Sequence, residues 1–145
     1  MAVKKMRPTT PAQRGMTSQD FDQITTKKPV KSLLIAKKQK SGRNNTGRIT
    51  SRHRGGGAKR FIRIVEFNPA AGLTATVEHI EYDPGRSARI ARLRDEKGNL
   101  SYTIATSGMH QGQVVRVATD DQKVAIESGN RMKLRDIPLG ATIHN

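Results

Sequence analysis

The sequence predicts a mainly β protein: a small five-stranded barrel that carries a long, extended, basic N-terminal arm. Three observations support this prediction. Short β-rich segments follow one another closely through residues 61–118, and the apolar spacing of helices is absent there. The positive charge is concentrated in residues 1–60.

The charge is unevenly divided along the chain. Residues 1–60 contain 16 Lys and Arg against two acids, whereas residues 61–145 contain 11 against 10, so almost all of the formal charge of +15 lies on the arm. Such an excess repels itself and is usually balanced by a polyanion. A basic arm on a near-neutral body indicates a nucleic-acid binder.

The arm, residues 1–60, is expected not to fold alone, because few apolar side chains offset the entropy lost on ordering. Residues 17–20 fit a helix-capping box, with Phe21 and Ile24 on one face of a single helical turn. The short apolar patch at residues 31–35 is expected to dock on the body or on the partner.

The body, residues 61–119, is expected to form five antiparallel strands, at residues 61–67, 73–82, 88–94, 100–105 and 113–118. The apolar residues of the second segment change faces midway, which predicts a one-residue bulge near Glu78 and His79. Turns are expected at residues 68–69 and 83–85, and a hairpin loop at 95–99. Short strands at this density favour a small barrel.

The tail, residues 120–145, changes character. We expect a short strand at 124–126, a turn at 128–130, and then a segment broken by proline and glycine. A segment this short cannot bury a core of its own. Its amide hydrogens are therefore expected to exchange rapidly with solvent in the isolated protein.

The most informative part of the arm is residues 41–60. Arginine forks bind phosphate oxygens in pairs, and glycines allow close backbone approach and positive φ. Tight basic turns suit irregular folded RNA better than a uniform duplex, although a solvated flexible linker is the alternative. The expected RNA-binding residues are Arg43, Asn44, Asn45, Arg48, Thr50, Arg52, His53, Arg54, Gly55, Gly56, Gly57, Lys59 and Arg60, followed by Arg63 on the first body strand.

The turn at residues 83–85 provides a second candidate contact. A rigid turn would hold Arg86 and Ser87 at the barrel rim, within reach of a phosphate, although an exposed turn arginine is the alternative. Arg89, Arg92 and Arg94 alternate between strand faces, so some of them are expected to be simply solvated.

Catalytic and metal-binding patterns are missing from the sequence. Gly42 and Gly47 have the spacing of a phosphate-binding loop, but Arg48 replaces its lysine and no apolar strand precedes it. The histidines are far apart and there is no cysteine. We therefore expect no enzyme, no cofactor, no metal, no membrane span and no small-molecule substrate.

Several segments resemble the bacterial form of large-subunit ribosomal protein L-two. Residues 42–60 read Gly-Arg-Asn-Asn-x-Gly-Arg-Ile-Thr and then Arg-His-x-Gly-Gly-Gly-x-Lys-Arg. The likeness is collinear over nearly the whole chain and continues through residues 4–9, 31–34, 63–67, 80–88 and 137–145.

This resemblance implies a barrel of the oligonucleotide-binding (OB) type that binds large-subunit ribosomal RNA, with the arm threaded among RNA helices. It also implies roles in assembly and subunit joining, neighbouring ribosomal proteins as partners, and a cytoplasmic or organellar ribosome as location. The glycine-rich residues and Arg86 correspond by position to RNA contacts.

Two departures from the family pattern accompany the resemblance. Asn68 and Pro69 replace a usual basic pair, which puts an RNA contact there in doubt. Residues 120–145 correspond to the start of an incomplete SH3-like second barrel, so no role near the peptidyl-transferase centre is carried over.

Two other classes remain open. Cold-shock-type modules stack bases on surface aromatics, but Phe61, Phe67 and Tyr82 are expected to be partly buried here. A membrane-surface protein requires an amphipathic basic helix, which the sequence lacks. Co-sedimentation with large ribosomal subunits would separate the three classes.

Overall fold

The computed structural model describes residues 3–120 and 122–144, and this part of the chain is mainly β, as predicted. Within it, eight short strands form three antiparallel sheets. One sheet pairs β1 (Val3–Lys5) with β2 (Thr17–Gln19), and another pairs β3 (Leu34–Ala36) with β4 (Phe61–Arg63). The third contains β5 (Thr74–Glu81), β6 (Ile90–Asp95), β7 (Leu100–Ile104) and β8 (Val114–Arg116). Single-turn 3-10 helices lie at Lys31–Leu33 and Leu134–Asp136.

The four-stranded sheet, in the order β7-β6-β5-β8, carries the core. The predicted bulge is confirmed, because the register of β5 against β6 shifts between Val77 and His79. The extra residue lets Val77 and Ile80 both point inward despite their odd spacing. The buried cluster consists of Ala75, Val77, Ile80, Ala91, Leu93, Met109 and Val115.

The first predicted body strand joins this sheet differently from the expected antiparallel arrangement. Only Phe61–Arg63 is regular strand, and its partner is Leu34–Ala36 from the arm. Further along, Val65 forms a parallel bridge to Tyr102, and the Glu66 amide donates to the Tyr102 carbonyl at 2.7 Å. The docking on the body expected of the patch at residues 31–35 is thereby confirmed for its second half, where Leu34 and Ile35 pair with β4.

The capping-box prediction at residues 17–20 is wrong. Thr17–Gln19 is extended and pairs with Val3–Lys5, so its backbone groups bond to another strand. An isolated helical turn has too few hydrogen bonds to offset its nucleation cost, and the cross-strand partners prevail.

A buried tyrosine joins the arm to the sheet. The hydroxyl of Tyr102, which is fully enclosed, donates to Glu81 Oε2 at 2.7 Å and accepts the Val30 amide at 2.9 Å. The other oxygen of Glu81 lies 3.2 Å from Arg92 Nη1. Burial chiefly, with the adjacent Glu81 carboxylate, raises the pKa of Tyr102 to about 12. The hydroxyl therefore stays neutral and can bridge the two partners.

A second anchor fixes the segment after β2. Arg89, which is only 5% exposed, donates to the Gln19 side-chain oxygen at 3.1 Å and to the Asp20 carbonyl at 2.6 Å. The Thr25 amide donates to the Ile80 carbonyl at 3.0 Å, and the Thr25 hydroxyl accepts the Ile80 amide at 2.9 Å. Residues 17–36 are thus attached to the body at several points.

The expectation that some strand arginines are simply solvated is wrong. Arg92 forms ion pairs with both Glu78 and Glu81. The contact of Arg92 Nε with Glu78 is 2.8 Å long but too bent for a hydrogen bond. Arg94 also forms an ion pair with Glu78. Partial burial by itself would raise the pKa of Glu78, but the two guanidinium groups outweigh that effect and lower it. Both guanidinium groups therefore form ion pairs with residues of the neighbouring strand β5.

The tail departs from its prediction in two respects. Residues 124–126 form no strand, since their backbone finds no adjacent edge; the expected turn at 128–130 is present. That turn packs on the body, where Gln113 Nε2 donates to the Ser128 carbonyl at 2.6 Å and Asn130 Oδ1 accepts the Arg116 amide at 2.9 Å. Arg131 then forms a parallel bridge to Val117.

Hydrogen exchange should divide the tail into two parts. The Arg131 amide, bonded to the Arg116 carbonyl at 2.9 Å, should exchange much more slowly than that of Leu139, whose side chain is fully exposed. Exchange measured by NMR on the isolated protein provides the test. Equal, fast exchange at both amides would show that the turn does not stay docked.

Replacing Tyr102 with Phe should lower the free energy of unfolding by about 1–3 kcal/mol, because the Glu81 carboxylate and the Val30 amide would each lose a partner. The contribution should be complete below pH 10 and decline as the pH rises toward about 12. Urea denaturation across this range measures it.

Tyr82→Phe is the matched control, because that hydroxyl has no protein partner among the described residues and the ring is 42% exposed. Its effect should stay within about 0.5 kcal/mol. Equal effects of the two substitutions would contradict the assigned role of Tyr102.

Candidate nucleic-acid interface

The glycine-rich loop, defined here as residues 38–59, projects from the β3–β4 ladder. The Lys37 amide donates to the Arg60 carbonyl at 3.0 Å, which extends the ladder by one pair and closes the loop at its base. From Arg43 to Arg60 every residue is exposed. The loop therefore presents almost its whole surface outward.

A small hairpin shapes the first half of the loop. Arg43 and Ile49 form an antiparallel bridge, and the Asn44 amide donates to the Arg48 carbonyl at 2.9 Å. The Asn44 side-chain oxygen accepts the amides of Thr46 and Arg48, both at 3.0 Å. This oxygen therefore holds the turn, while the guanidinium groups of Arg43 and Arg48 extend outward.

Glycine is needed for close packing at two points of the loop. At Gly42, where φ is +71°, an added Cβ would lie 2.1 Å from the Ser51 carbonyl oxygen. At Gly55, where φ is +108°, it would lie 2.7 Å from Ser41 Oγ. Gly42 also accepts both the Thr50 and Ser51 amides, at 2.9 and 3.1 Å. The predicted positive φ values are confirmed, and they serve to bring two backbone segments together.

An open concavity of about 430 Å³ lies where these segments meet. Polar side chains and the backbone of three glycines surround the concavity, and Lys40 and Arg54 contribute cationic side chains. A phosphate group fits such a surface chemically, because ammonium, guanidinium and hydroxyl donors converge there. The lining residues are Gln39, Lys40, Ser41, Gly42, Ser51, Arg54, Gly55 and Gly56.

No described cation of the arm has an acidic partner, whereas several cations of the body and the tail do. Within residues 3–60 no Lys or Arg lies at ion-pair distance from a described acid, whereas Arg86, Arg92, Arg94, Lys133 and Arg135 all do. The arm charge is therefore uncompensated in the folded chain, and its field extends into solvent.

Two hydrogen bonds to the Asp83 side chain hold the turn that carries Arg86. Asp83, which is almost completely buried, accepts the Gly85 amide and the Arg86 Nε, each at 2.7 Å. The guanidinium carbon lies 5.9 Å from the Phe67 ring centre. Its two Nη groups have no hydrogen-bond partner among the described residues, and the adjacent Ser87 is exposed.

The predicted site residues form two separate groups. Arg43 to Lys59 belong to the loop and Arg60 to its base, whereas Arg86 and Ser87 belong to the body turn, and no hydrogen bond or ion pair joins the groups within the described ranges. Arg63 belongs to neither group: it is half-buried in β4, where its Nη1 donates to the Phe61 carbonyl at 2.8 Å. It is less open to a partner than the loop arginines.

The aromatic rings are more exposed than the sequence suggested. Phe61, Phe67 and Tyr82 are 39%, 53% and 42% exposed, because Tyr102 and aliphatic strand residues fill the interior. Of the residues that line the concavity, Gln39 and Lys40 lie outside the informative stretch 41–60, and Ser41, Gly42 and Ser51 lie in it but were not among the expected RNA contacts. The glycines of that stretch were the signal for sharp turns and close backbone approach.

Two further findings concern the described residues alone. They contain no cluster of three or more His, Asp and Glu residues placed to hold a metal ion. None of their helices combines the length and apolar character required to cross a membrane.

Comparison with known families identifies the chain's relatives. A family model described as "Ribosomal Proteins L2, RNA binding N-terminal domain" matches residues 30–117. The chain belongs to this family. It is a ribosomal protein of the large subunit that binds ribosomal RNA, in a family of structural RNA-binding proteins, and its fold is compatible with the OB-like domain expected. The matched part of this L2-family chain contains the glycine-rich loop and the four-stranded sheet.

Gly42→Ala should weaken ribosomal RNA binding by about tenfold or more, the equivalent of ~1.4 kcal/mol. The added methyl group would push the Ser51 carbonyl away and break the hydrogen bonds that Gly42 accepts. Gly47→Ala is the matched control, since φ is also positive there, at +80°, but its Cβ meets nothing within 4 Å. Equal affinities of the two variants would show that the loop shape is unimportant. Filter binding to large-subunit RNA measures the difference.

Proposed function

We propose that this chain anchors large-subunit ribosomal RNA through its glycine-rich loop and thereby supports subunit assembly and the association of the two subunits in translation. The observation that carries the proposal is a loop of uncompensated cations held in a defined shape by its own backbone. Family membership identifies ribosomal RNA as the partner. The uneven charge along the chain supports the arm as the main contact for that RNA.

The loop arginines are the proposed phosphate contacts. Each guanidinium can bind two phosphate oxygens at once, and neutralising phosphates releases their counterions. Because the backbone is already shaped, less conformational entropy is lost on binding than for a disordered linker. This argues against the flexible-linker alternative.

The other polar residues of the loop complete the interface. Asn45, Thr50 and His53 are exposed and suit sugar or base edges, while Gly55 to Gly57 leave room for a phosphodiester to approach the backbone. The proposed RNA-binding residues are Arg43, Asn44, Asn45, Arg48, Thr50, Arg52, His53, Arg54, Gly55, Gly56, Gly57, Lys59 and Arg60, with Arg63, Arg86 and Ser87 as secondary contacts. Asn44 contributes mainly by shaping the turn.

We also propose separate roles for three parts of the chain. Residues 1–60 serve as the RNA-contacting arm, residues 61–119 as the OB-like body, and residues 120–145 as the beginning of an SH3-like unit. Because contacts from β3 and from Val30 cross the first boundary, the arm is attached to the body before RNA binds. Neighbouring ribosomal proteins on a cytoplasmic or organellar ribosome are the other proposed partners.

Replacing Arg52, Arg54 and Lys59 together with Gln should flatten the salt dependence of RNA binding. Each lost phosphate contact lowers the slope of log K against log salt by about 0.7 to 0.9, so the triple variant should lose roughly 2 to 3 in total. Titration of large-subunit ribosomal RNA at several salt concentrations measures the slope.

A second triple variant, Lys97→Gln, Arg116→Gln and Lys123→Gln, removes the same charge from exposed positions of the body and the tail. Its slope should stay close to that of the unchanged protein. If both triple variants lose the same slope, general charge rather than the loop explains the binding. A soluble wild-type protein that fails to co-sediment with large subunits would contradict the proposed function itself.

A further inference from the structure

Two exposed aromatic rings lie against each other on the body. The ring centres of Phe21 and Tyr82 are 5.7 Å apart, and their planes are at 80°. Phe21 is 51% exposed and Tyr82 is 42% exposed, in a chain that has only five aromatic residues. This aromatic pair is separate from the glycine-rich loop, and the sequence motifs did not identify it.

A buried cation lies beneath the aromatic pair. The Arg89 guanidinium carbon is 5.0 Å from the Phe21 ring centre and 5.6 Å from that of Tyr82. Its hydrogen bonds go to the Gln19 amide oxygen and the Asp20 carbonyl, which carry no charge, and no described acid lies at ion-pair distance from it. The ring faces offset part of the cost of this burial, but the positive charge itself is not neutralised.

A second positive group follows closely along the chain. Arg86 lies four residues after Tyr82, with its guanidinium carbon 5.9 Å from the Phe67 ring centre, and its Nη groups have no hydrogen-bond partner among the described residues after Nε has bonded to Asp83. Since Asp83 is enclosed, its carboxylate does not present a negative surface to a ligand. The patch therefore combines partly exposed aromatic rings with a positive field, a combination that favours a nucleotide over an apolar peptide.

We propose that Phe21 and Tyr82 form a stacking site for an unpaired RNA base, with Arg86, four residues after Tyr82, as the contact for a nearby phosphate. The proposal rests on the proposed function, because it assumes RNA on this face. Phe21 lies outside the family match at residues 30–117, so family membership does not assign it. The Arg89 hydrogen bonds hold the preceding residues in place, which keeps the Phe21 ring in position before RNA binds.

The test variant is the full chain with Phe21→Leu and Tyr82→Leu, which keeps apolar bulk and removes the π faces. The probes are a single-stranded RNA of about 12 nucleotides and a blunt RNA duplex of equal length. Affinity for the single-stranded probe should fall roughly 5- to 150-fold, the range for loss of one or more stacked bases. Affinity for the duplex, which has no unpaired base, should not change.

The matched control keeps the rings: Phe21→Tyr with Tyr82→Phe should bind both probes like the wild-type protein. The Arg52, Arg54 and Lys59 triple variant should lose affinity for both probes, because phosphates are common to them. If the leucine variant weakens on both probes alike, the pair only supports the fold and the stacking site is refuted. If the wild-type protein does not bind the single-stranded probe, or if the leucine variant binds it as well as the wild-type protein does, the stacking site is refuted. Failure of the wild-type protein to bind large-subunit ribosomal RNA would refute the proposed function.

A second measurement needs no variant. Ultraviolet crosslinking of the wild-type protein to the single-stranded probe containing 4-thiouridine, followed by mass spectrometry, should give adducts at Phe21 or Tyr82. Adducts confined to the glycine-rich loop would overturn the stacking site and leave the proposed function standing.

A leucine variant that binds both probes normally but no longer co-sediments with large subunits would instead assign the pair to a protein partner, which also overturns the proposal.

Discussion

The hydrogen bond between the Tyr102 hydroxyl and the Glu81 carboxylate is the constraint on which the arrangement of arm and body depends. The same hydroxyl accepts the Val30 amide, and the same carboxylate faces Arg92, so one buried network joins Val30 of the arm to three strands of the sheet, β5, β6 and β7. Buried polar groups are costly when unpaired, which makes this arrangement specific as well as stable. The direction in which the loop leaves the body follows from it.

Local pattern predicted the parts of the fold that depend on near neighbours. The alternation of β5 and the change of face near Glu78 specified a bulge, and the turns at 83–85 and 95–99 followed from residues with strong turn preferences. Pairing between distant segments could not be read in this way. Thr17–Gln19 has the local features of a helix start, yet its strand partner, Val3–Lys5, lies on the far side of an intervening turn.

The candidate site was predictable to the extent that it depends on charge. The excess of cations in the arm indicated a polyanion, and glycine indicated sharp turns, but sequence does not reveal which polar atoms are used internally. Asn44 looked like an RNA contact and instead holds its own turn. The exposure of Tyr82 escaped prediction for a related reason: the space inside a small sheet is limited, and Tyr102 occupies it.

Closure of the glycine-rich loop by the β3–β4 ladder has a topological consequence. A tail with a free end can be threaded into a cavity after the cavity has formed, whereas a loop fixed at both ends has no end to thread. Such a loop can enter a gap only as two adjacent strands. A gap too narrow for two strands must therefore form around the loop. An RNA that encloses such a loop must therefore complete its own fold with the protein already in place.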